Sequence, residues 1–428
     1  MALCIRDAHL LPVEGSVDRS DATILIEGGY ITAVGGPDLA TPPGARVLTA
    51  SGCLALPGLV NCHNHVAMTL FRGYGADVPL QRWLQEYIWP AEARLTDEDV
   101  RAGAMLGCLE MLRGGVTAFA DMYDHTDAVA DAVESSGIRG VLSRGLIGLR
   151  PTWRAALAEG EALCALARRS PSGRVTAMIA PHAEYTCPPE VWREAIALAR
   201  REGVPLHTHV SETQAETAEC RQRHGCSPVR FLQGVGALDA GALLAHCVHV
   251  DAEDIRLLAR PGVFVSHNPV SNAKLGSGVA PVPELLAAGV SLGIGSDGAA
   301  STDCLGLWEE LRLAAWLQKA QRLDASALPC PDLLRLATTG GARALRLPGR
   351  GIVAGAPADL ILVDRGGLHQ TPVIDPVAAL VYGTRDADVA VTIVAGRVVM
   401  ERGEYPGLDH ERVRADAVAC SRRLLGAA

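Results

Sequence analysis

Four clusters of polar residues each follow an apolar, strand-like run of the sequence. Imidazole and carboxylate side chains, which dominate these clusters, are the groups that bind a divalent metal such as zinc. Three histidines and an aspartate would leave room for a water molecule at the metal, and a carboxylate three residues beyond one histidine is a ready proton acceptor. The pattern predicts a metal-dependent hydrolase. The clusters are Asn61–His65, His207–Glu212, His246–His249 and Ser296–Gly298.

The first cluster has the spacing of a metal site. His63 and His65 are two residues apart, so on a strand their side chains point to the same side and reach one ion. Pro57-Gly58 precedes them and a glycine-rich loop, Arg72–Gly75, follows, which is not typical of histidines that only fill a core. We therefore predict that both histidines bind the metal.

The second and fourth clusters supply further ligands. His207 and His209 repeat the two-residue spacing, and at most one of them needs to bind the metal. His209 is favoured because Glu212 lies three residues beyond it, whereas a structural role is at least an equal alternative for His207. Asp297 ends an apolar run before a glycine, where aspartate is usually a turn residue. The other clusters favour metal binding by Asp297.

The residues between the clusters repeat one unit, a short apolar run followed by a helical stretch rich in alanine and leucine. Eight such units over residues 57–347 predict a TIM-like (β/α)₈ barrel, in which catalytic groups sit at the carboxyl ends of the strands. A doubly wound open sheet is the alternative, but it would not bring strands one, five, six and eight to one point. The predicted strands end near His63, Asp121, Arg144, His182, His209, His246, His267 and Asp297.

The two ends of the chain differ from the middle. Residues 1–56 and 348–428 contain short strands separated by glycine turns, and neither end is long enough for a good sandwich alone. We expect them to pair as one smaller, discontinuous β-sandwich domain beside the barrel. A helix from roughly His410 to Leu425 is predicted to close the chain.

The composition limits the possible partners. Of the 428 residues, 49% are hydrophobic and 20% charged, and the net charge is −9, so nucleic acid and anionic membrane surfaces are excluded as partners. No apolar run approaches the ~18 residues of a membrane span. The twelve cysteines include no Cys-x-x-Cys pair, which favours reduced thiols. We expect a soluble, cytoplasmic enzyme that acts on a small molecule.

Together these clusters resemble the amidohydrolase superfamily, which has His-x-His on strand one, histidines on strands five and six and an aspartate on strand eight. The resemblance implies that Glu212 is the acid/base residue, that His246 contacts the attacking hydroxide and that Asp297 also assists proton transfer. In that mechanism Glu212 takes the proton of a metal-activated water and passes it to the substrate ring. The implied metal ligands are His63, His65, His209 and Asp297.

The lysine content indicates a subclass. Superfamily members with two metals bridge them through a carboxylated lysine late on strand four. The segment Val175–His182, our predicted strand four, has no lysine, and we find lysines only at 274 and 319, far downstream. We therefore expect one metal ion for each subunit, zinc by preference, with Fe²⁺, Mn²⁺ or Co²⁺ as alternatives.

Further segments resemble one family within this superfamily, the 5′-methylthioadenosine/S-adenosylhomocysteine deaminases. The resemblance implies hydrolytic deamination of the adenine ring in a 5′-substituted adenosine: S-adenosylhomocysteine, 5′-methylthioadenosine, 5′-deoxyadenosine or adenosine. It also implies a homo-oligomer, a dimer or a tetramer. The segments that carry it include Pro57–His65, Met68–Gly73, Ile88–Glu92, Arg144–Leu146, Ala180–His182, Ala245–His249, Ser266–Pro269 and Ser296–Ser301.

The same resemblance assigns residues to the substrate. Glu92 would bind the ribose hydroxyls, and a carboxylate is a good bidentate acceptor for a vicinal diol. Arg144 and His182 match positions near the sugar and the 5′ substituent. Trp83 is expected to form a wall of the pocket, and Arg154 is a second arginine for a carboxylate tail. The simpler alternatives are an ordinary helical turn for Glu92 and a core position for Trp83.

One position departs from the family. Family members usually read His-Ala-Pro-Tyr after strand four, whereas this chain reads His182-Ala183-Glu184-Tyr185. A carboxylate thus replaces a rigid proline beside the expected 5′ pocket. Glu184 would either pair with an amine on the substrate or face solvent, so the preference for the 5′ substituent stays open.

Two other functions fit parts of the pattern. A chlorohydrolase or a deaminase of another nitrogen heterocycle, of triazine, guanine or pterin type, could use the same metal ligands without a diol-binding Glu92. A non-catalytic binding protein stabilised by zinc is the second alternative. Structural zinc sites are usually closed by four ligands, commonly including cysteine, and Glu212 would then have no purpose.

Overall fold

Two sheets organise the chain, which we describe from a computed structural model. The model describes residues 2–13, 15–349 and 351–426. Strands β6 to β13 form an eight-stranded sheet in which sequential strands are parallel neighbours. The remaining strands, β1 to β5 and β14 to β16, form a separate mixed sheet from both chain ends. The strands are β1 Leu3–Leu10, β2 Arg19–Glu27, β3 Tyr30–Gly35, β4 Arg46–Thr49, β5 Cys53–Pro57, β6 Leu59–Asn64, β7 Val116–Tyr123, β8 Arg139–Leu146, β9 Val175–Pro181, β10 Leu206–Val210, β11 Ala242–His246, β12 Val263–His267, β13 Ser291–Ile294, β14 Leu360–Asp364, β15 Val389–Val394 and β16 Arg397–Glu401.

Helices follow the strands of the parallel sheet in the alternating order that a (β/α)₈ barrel requires. The longest of them, α3, begins at a capping box in which Thr96 and Asp99 satisfy each other's backbone N–H groups. The helices are α1 Leu80–Trp83, α2 Trp89–Glu92, α3 Asp97–Arg113, α4 Thr126–Ser136, α5 Trp153–Arg168, α6 Pro189–Glu202, α7 Gln214–His224, α8 Pro228–Gly234, α9 Ala237–Ala240, α10 Ala252–Leu258, α11 Pro269–Lys274, α12 Val282–Ala287, α13 Ala299–Thr302, α14 Leu307–Arg322, α15 Cys330–Arg335, α16 Gly341–Ala344, α17 Pro376–Gly383 and α18 His410–Leu425.

The parallel sheet closes on itself. The last strand, β13, lies against the first, β6, and the Asp297 N–H donates a hydrogen bond of 2.9 Å to the His63 carbonyl. Strands such as β11, Ala-Leu-Leu-Ala-His, are buried along their whole length, as expected where both faces of a parallel sheet are covered. The prediction of a barrel is therefore confirmed, and each predicted strand end lies within three residues of the observed one.

The terminal sheet has a core of its own, built from β1, β2, β5, β14 and β15. Its strands form one continuous hydrogen-bonded sheet, and β14 joins the two chain ends by pairing antiparallel with β5. The helix α18 has the predicted limits but packs against the barrel helix α3 and against the 3₁₀ segment Val66–Phe71, in which the Leu70 carbonyl accepts a hydrogen bond of 2.7 Å from Ser421. The domain boundaries at residues 56 and 348 stay a prediction. No helix in the described part of the chain is long and apolar enough to cross a membrane.

Candidate active site

The carboxyl ends of four barrel strands bring the polar clusters together. His63 and His65 come from the end of β6, His209 from β10, His246 from the end of β11 and Asp297 from the residues after β13. His63 Nε2 and His65 Nε2 lie 3.4 and 3.2 Å from Asp297 Oδ1, and His209 Nε2 lies 3.3 Å from His65 Nε2. All four predicted ligands therefore point their donor atoms at one place at the mouth of the barrel.

The surroundings of this cluster fit a cation. His63 Nε2 is buried and has no hydrogen-bond partner, which leaves its lone pair available. Burial lowers the pKa of His63 to about 4, so the ring is neutral near pH 7. Burial also opposes protonation of His65, but the nearby Asp297 carboxylate outweighs it and raises the pKa of His65 to about 9. A buried site with this much negative charge is suited to a divalent metal ion.

The backbone is strained where these side chains leave the strands. Asp297 and His246 both have left-handed backbone angles, with φ of 68° and 76°, and so does Ser211, with φ of 51°. Such conformations cost ~1–3 kcal/mol each in a residue with a side chain, and they persist where the surrounding structure enforces them. Here they stand at or directly after the ends of β10, β11 and β13, the strands that supply His209, His246 and Asp297.

Glu212 lies beside the cluster, and the structure shows how it is held there. Its carboxylate is buried and lies 3.8 Å from His246 Nε2. Burial raises its pKa, which suits a group that accepts and returns a proton near neutral pH. Glu216, the residue at the third position of α7, accepts the N–H groups of Ser211 and Glu212 at 2.9 and 2.7 Å. Our sequence analysis missed Glu216, although Thr213 and Glu216 have the spacing of a capping box.

A pocket of about 850 Å³, including the space at its mouth, opens from the cluster. His65, His209, Glu212, His246 and Asp297 form its polar end. Its walls are largely apolar and come mainly from the segment between β6 and α3. The wall residues include Leu80, Trp83, Leu84, Ile88, Trp89 and Leu95.

Three of the predicted substrate residues line this pocket: Trp83, Glu92 and His182. Trp83 is 5% exposed and donates from its indole nitrogen to the Tyr74 carbonyl at 3.0 Å. Burial, reinforced by the nearby Asp124, raises the pKa of Glu92 to about 7. Burial lowers the pKa of His182 to about 3, so that ring is neutral.

The other three predicted substrate residues lie outside the pocket lining. Arg154 is on the surface, with 61% of its side chain exposed, where it pairs with Glu190 and Glu194 of α6. Arg144 pairs with Asp124 and, at 2.5 Å, with Glu159. Since these partners already neutralise both guanidinium groups, neither arginine stands ready for a substrate carboxylate in this structure.

Arg150 lies in the pocket lining instead of these two arginines. It follows β8 and faces Asp124, with its nearest nitrogen 3.8 Å from a carboxylate oxygen. Tyr123 and Asp124, which end and follow β7, line the same region. Sequence reasoning missed all three. The signal was their place directly after barrel strands, where functional residues concentrate.

Glu184 also differs from its predicted position. Its side chain is 2% exposed and faces α7, not the solvent, where it accepts hydrogen bonds from Arg223 at 2.8 and 3.1 Å. His224 Nε2 lies 2.8 Å from the same carboxylate. The segment Glu184–Thr186 is a single 3₁₀ turn, so adjacent side chains leave it in different directions. Tyr185 consequently lines the pocket while Glu184 anchors the turn to α7.

Comparison with known proteins agrees with this geometry. The sequence matches the amidohydrolase family over residues 54–399. The chain belongs to the amidohydrolase family. A curated relative, the 5-methylthioadenosine/S-adenosylhomocysteine deaminase of Pelotomaculum thermopropionicum, is 46% identical over 429 residues, covering 99% of each chain.

Two solved amidohydrolase structures have the same fold. An adenosine deaminase from Xanthomonas campestris with bound zinc is 33% identical, with a TM-score of 0.94 over 99% of this chain and 98% of that one. An atrazine chlorohydrolase from Arthrobacter aurescens TC1, complexed with zinc, is 28% identical, with a TM-score of 0.91 over 98% and 100% of the two chains. The family thus includes both kinds of enzyme that the sequence analysis weighed.

Proposed function

We propose that this amidohydrolase is a zinc-dependent aminohydrolase that deaminates the adenine ring of 5′-substituted adenosines. Water replaces the ring amino group, and the products are the inosine analogue and ammonia. The observation that carries the proposal is the buried cluster of His63, His65, His209 and Asp297, with Glu212 beside it and Glu92 in the wall of the same pocket. The 46% identity to a named deaminase over nearly the whole chain supports it.

Those four residues would hold the zinc. Zinc bound there would act as a Lewis acid that lowers the pKa of a water molecule towards ~7. The site has imidazole and carboxylate donors and no thiolate among them, which fits a catalytic and not a closed structural site. This argues against the alternative of a non-catalytic protein stabilised by zinc.

Glu212, His246 and Asp297 would each have a separate role in the reaction. Glu212, with its raised pKa, accepts the proton of the attacking water and delivers it to the ring nitrogen next to the reacting carbon. His246 lies beside Glu212 and orients the attacking oxygen. Asp297, whose Oδ2 accepts a hydrogen bond from Ser271 at 2.6 Å, helps move the second proton to the departing amine. Each transfer is between groups at the polar end of the pocket.

The wall that contains Glu92 would recognise the sugar. The Glu92 carboxylate would accept hydrogen bonds from both ribose hydroxyls, and His182 lines the same pocket. A triazine or a guanine has no vicinal diol, so a carboxylate in the pocket lining at this position favours a nucleoside. The chlorohydrolase alternative keeps its support from the likeness in fold to the atrazine enzyme.

A substrate panel tests the proposal. Ammonia release and the ultraviolet spectral change would be followed with zinc-loaded protein and S-adenosylhomocysteine, 5′-methylthioadenosine, 5′-deoxyadenosine, adenosine, guanine and a chlorotriazine. We expect fast turnover of at least one 5′-substituted adenosine and slow or no turnover of guanine. Turnover of the triazine alone would favour the chlorohydrolase, and no turnover with zinc bound would overturn the proposal.

The Glu212→Gln variant separates an enzyme from a binding protein. It should lose ~10²–10⁴-fold in turnover, the contribution of one general base, while it still binds zinc. Glu219→Gln is the matched control, because Glu219 lies on the neighbouring helix α7 with 59% of its side chain exposed. Near-normal turnover in Glu212→Gln would remove Glu212 from the mechanism.

A further inference from the structure

Three of the pocket histidines have ring orientations that are fixed by an oxygen acceptor. A carbonyl or amide oxygen only accepts, so each of these rings carries a proton on Nδ1, and Nε2 is the nitrogen left to bind a metal. The acceptors are the Met122 carbonyl for His65 at 2.6 Å, the His182 carbonyl for His209 at 2.9 Å and Asn272 Oδ1 for His246 at 2.8 Å.

His63 is held differently. Its Nδ1 lies 2.9 Å from Nε2 of a second histidine, His207, and both side chains are fully buried. A neutral imidazole nitrogen can either donate or accept. The pair alone therefore leaves open which nitrogen of His63 carries the proton, and the wrong choice would place that proton where the metal must bind.

Ser143 determines the direction. Its Oγ lies 2.6 Å from the Asp121 carbonyl, so the hydroxyl proton is donated there. The same Oγ lies 3.3 Å from His207 Nδ1, and with its proton already committed it accepts. His207 then carries its proton on Nδ1, and its Nε2 accepts the Nδ1–H of His63. The donors thus point in one direction from His63 through His207 and Ser143 to the Asp121 carbonyl.

We propose that His207 and Ser143 are positioning residues that hold His63 in the tautomer that binds the metal. The proposal rests on the proposed function, because it presumes zinc at His63. It explains why His63 Nε2 is buried without a hydrogen-bond partner. It also assigns a role to the second His-x-His pair: both ring nitrogens of His207 are engaged, so His207 supports a ligand and is not one itself.

Zinc affinity, measured by competition with a chelator, tests the role of His207. His207→Leu offers no acceptor to His63 and should weaken zinc binding ~10–100-fold, the usual effect of losing an outer-shell partner. His207→Gln offers an amide oxygen and should retain most of the affinity. Equal affinity in the wild type and the leucine variant, or equal loss in both variants, would overturn the proposal.

Ser143→Ala tests the direction of the hydrogen bonds without altering either histidine. We expect weaker zinc binding than in the wild type, because His207 is then free to donate to His63. Ser136→Ala is the control, since Ser136 is also buried and donates to a backbone carbonyl, that of Val133 at 3.3 Å, in the helix α4. Unchanged zinc affinity in Ser143→Ala would overturn the proposed direction of the hydrogen bonds from His63 through His207 to Ser143.

Two measurements separate this role from a general contribution to folding. Thermal unfolding of the metal-free variants shows whether lost affinity merely follows lost stability. The ¹⁵N spectrum of histidine-labelled protein should show a changed tautomer in Ser143→Ala and not in Ser136→Ala. If His207→Leu does not fold, the zinc affinities of Ser143→Ala and its control Ser136→Ala test the proposal instead. Wild-type protein that binds no zinc would contradict the proposed function, whereas zinc binding unaffected by these substitutions would contradict only this proposal.

Discussion

The two ends of the pocket are built differently. At the metal end, the side chains come from strand ends, and at most 15% of the side chain of His63, His65 or Asp297 is exposed. Each histidine ligand also has a fixed hydrogen-bond partner. At the outer end, Arg150 and Asp124 come from loops, and 43% and 38% of their side chains are exposed. A rigid end suits a single reaction, whereas an end made of loops can change its selectivity without disturbing the chemistry.

The largest effect should come from breaking the rigid end. Asp297→Ala removes a carboxylate that lies 3.4 Å from His63 and 3.2 Å from His65, and we expect zinc affinity to fall by more than ~100-fold, beyond the usual effect of an outer-shell change. Activity should be lost with it. Metal content after dialysis measures the effect, with Asp303→Ala as a control, because Asp303 is half-exposed and pairs with Lys274. Full zinc occupancy in Asp297→Ala would contradict the assignment of Asp297 as a metal ligand.

Glu216→Gln should affect turnover but not zinc. Glutamine has one acceptor oxygen where the carboxylate uses two to hold the N–H groups of Ser211 and Glu212. A small displacement of Glu212 should lower kcat ~10-fold or more, since misplacement by ~1 Å can cost ~10²-fold. Steady-state kinetics together with zinc affinity test this. A parallel loss of zinc would show instead that Glu216 supports the whole mouth of the barrel.

At the outer end of the pocket, Arg150→Met should change only the selectivity for the 5′ substituent of the substrate. If Arg150 faces a substrate carboxylate, its loss removes a charge-assisted hydrogen bond worth ~1.5–3 kcal/mol when buried and less at this exposure. We expect KM to rise up to ~10-fold for S-adenosylhomocysteine, with little change for 5′-methylthioadenosine. Arg154→Met, four residues along the chain, is the control and should leave both unchanged. Equal effects of the two substitutions would contradict the position of Arg150.

The smallest expected effect is a dependence of KM on pH through Glu92. Burial and the nearby Asp124 raise its pKa to about 7, and a bound cation would lower it, so the carboxylate ionises at or below that value. The ionised form accepts hydrogen bonds from a diol better, so KM for ribosides should rise as the pH falls through this range. Glu92→Gln should remove the dependence. A wild-type KM that does not vary with pH would contradict the diol-binding role.

The difference between the two ends also explains what the sequence could predict. Strand alternation places His63 and His65 on one side of their strand, and the barrel brings the carboxyl ends of its strands together, so the grouping of these two residues with His209 and Asp297 could be predicted. The resemblance to the amidohydrolase superfamily completed the set of ligands. The barrel and the pairing of the chain ends followed from the same regularities. The direction of the His63–His207 hydrogen bond could not be predicted, because it depends on Ser143, a residue of an unremarkable strand sequence.

The outer end was predicted less well because loops have no such register. The resemblance pointed to Arg154 and gave no sign of Arg150, although of the two only Arg150 enters the pocket lining. Glu184 was expected beside the 5′ pocket or in solvent because it replaces the proline of the family, but the 3₁₀ turn directs its side chain away from that of Tyr185. Its partners Arg223 and His224 are distant in sequence, and no local pattern identifies them.

The hydrogen bond from the Asp297 N–H to the His63 carbonyl joins the first barrel strand to the residues that follow the last. The seam of the barrel and the metal site are therefore the same place. During synthesis the amino-terminal ligands leave the ribosome long before Asp297 does, so the complete set of ligands assembles only when the barrel closes. Capture of the metal should consequently report the final step of folding, and a chain truncated before β13 should bind it poorly.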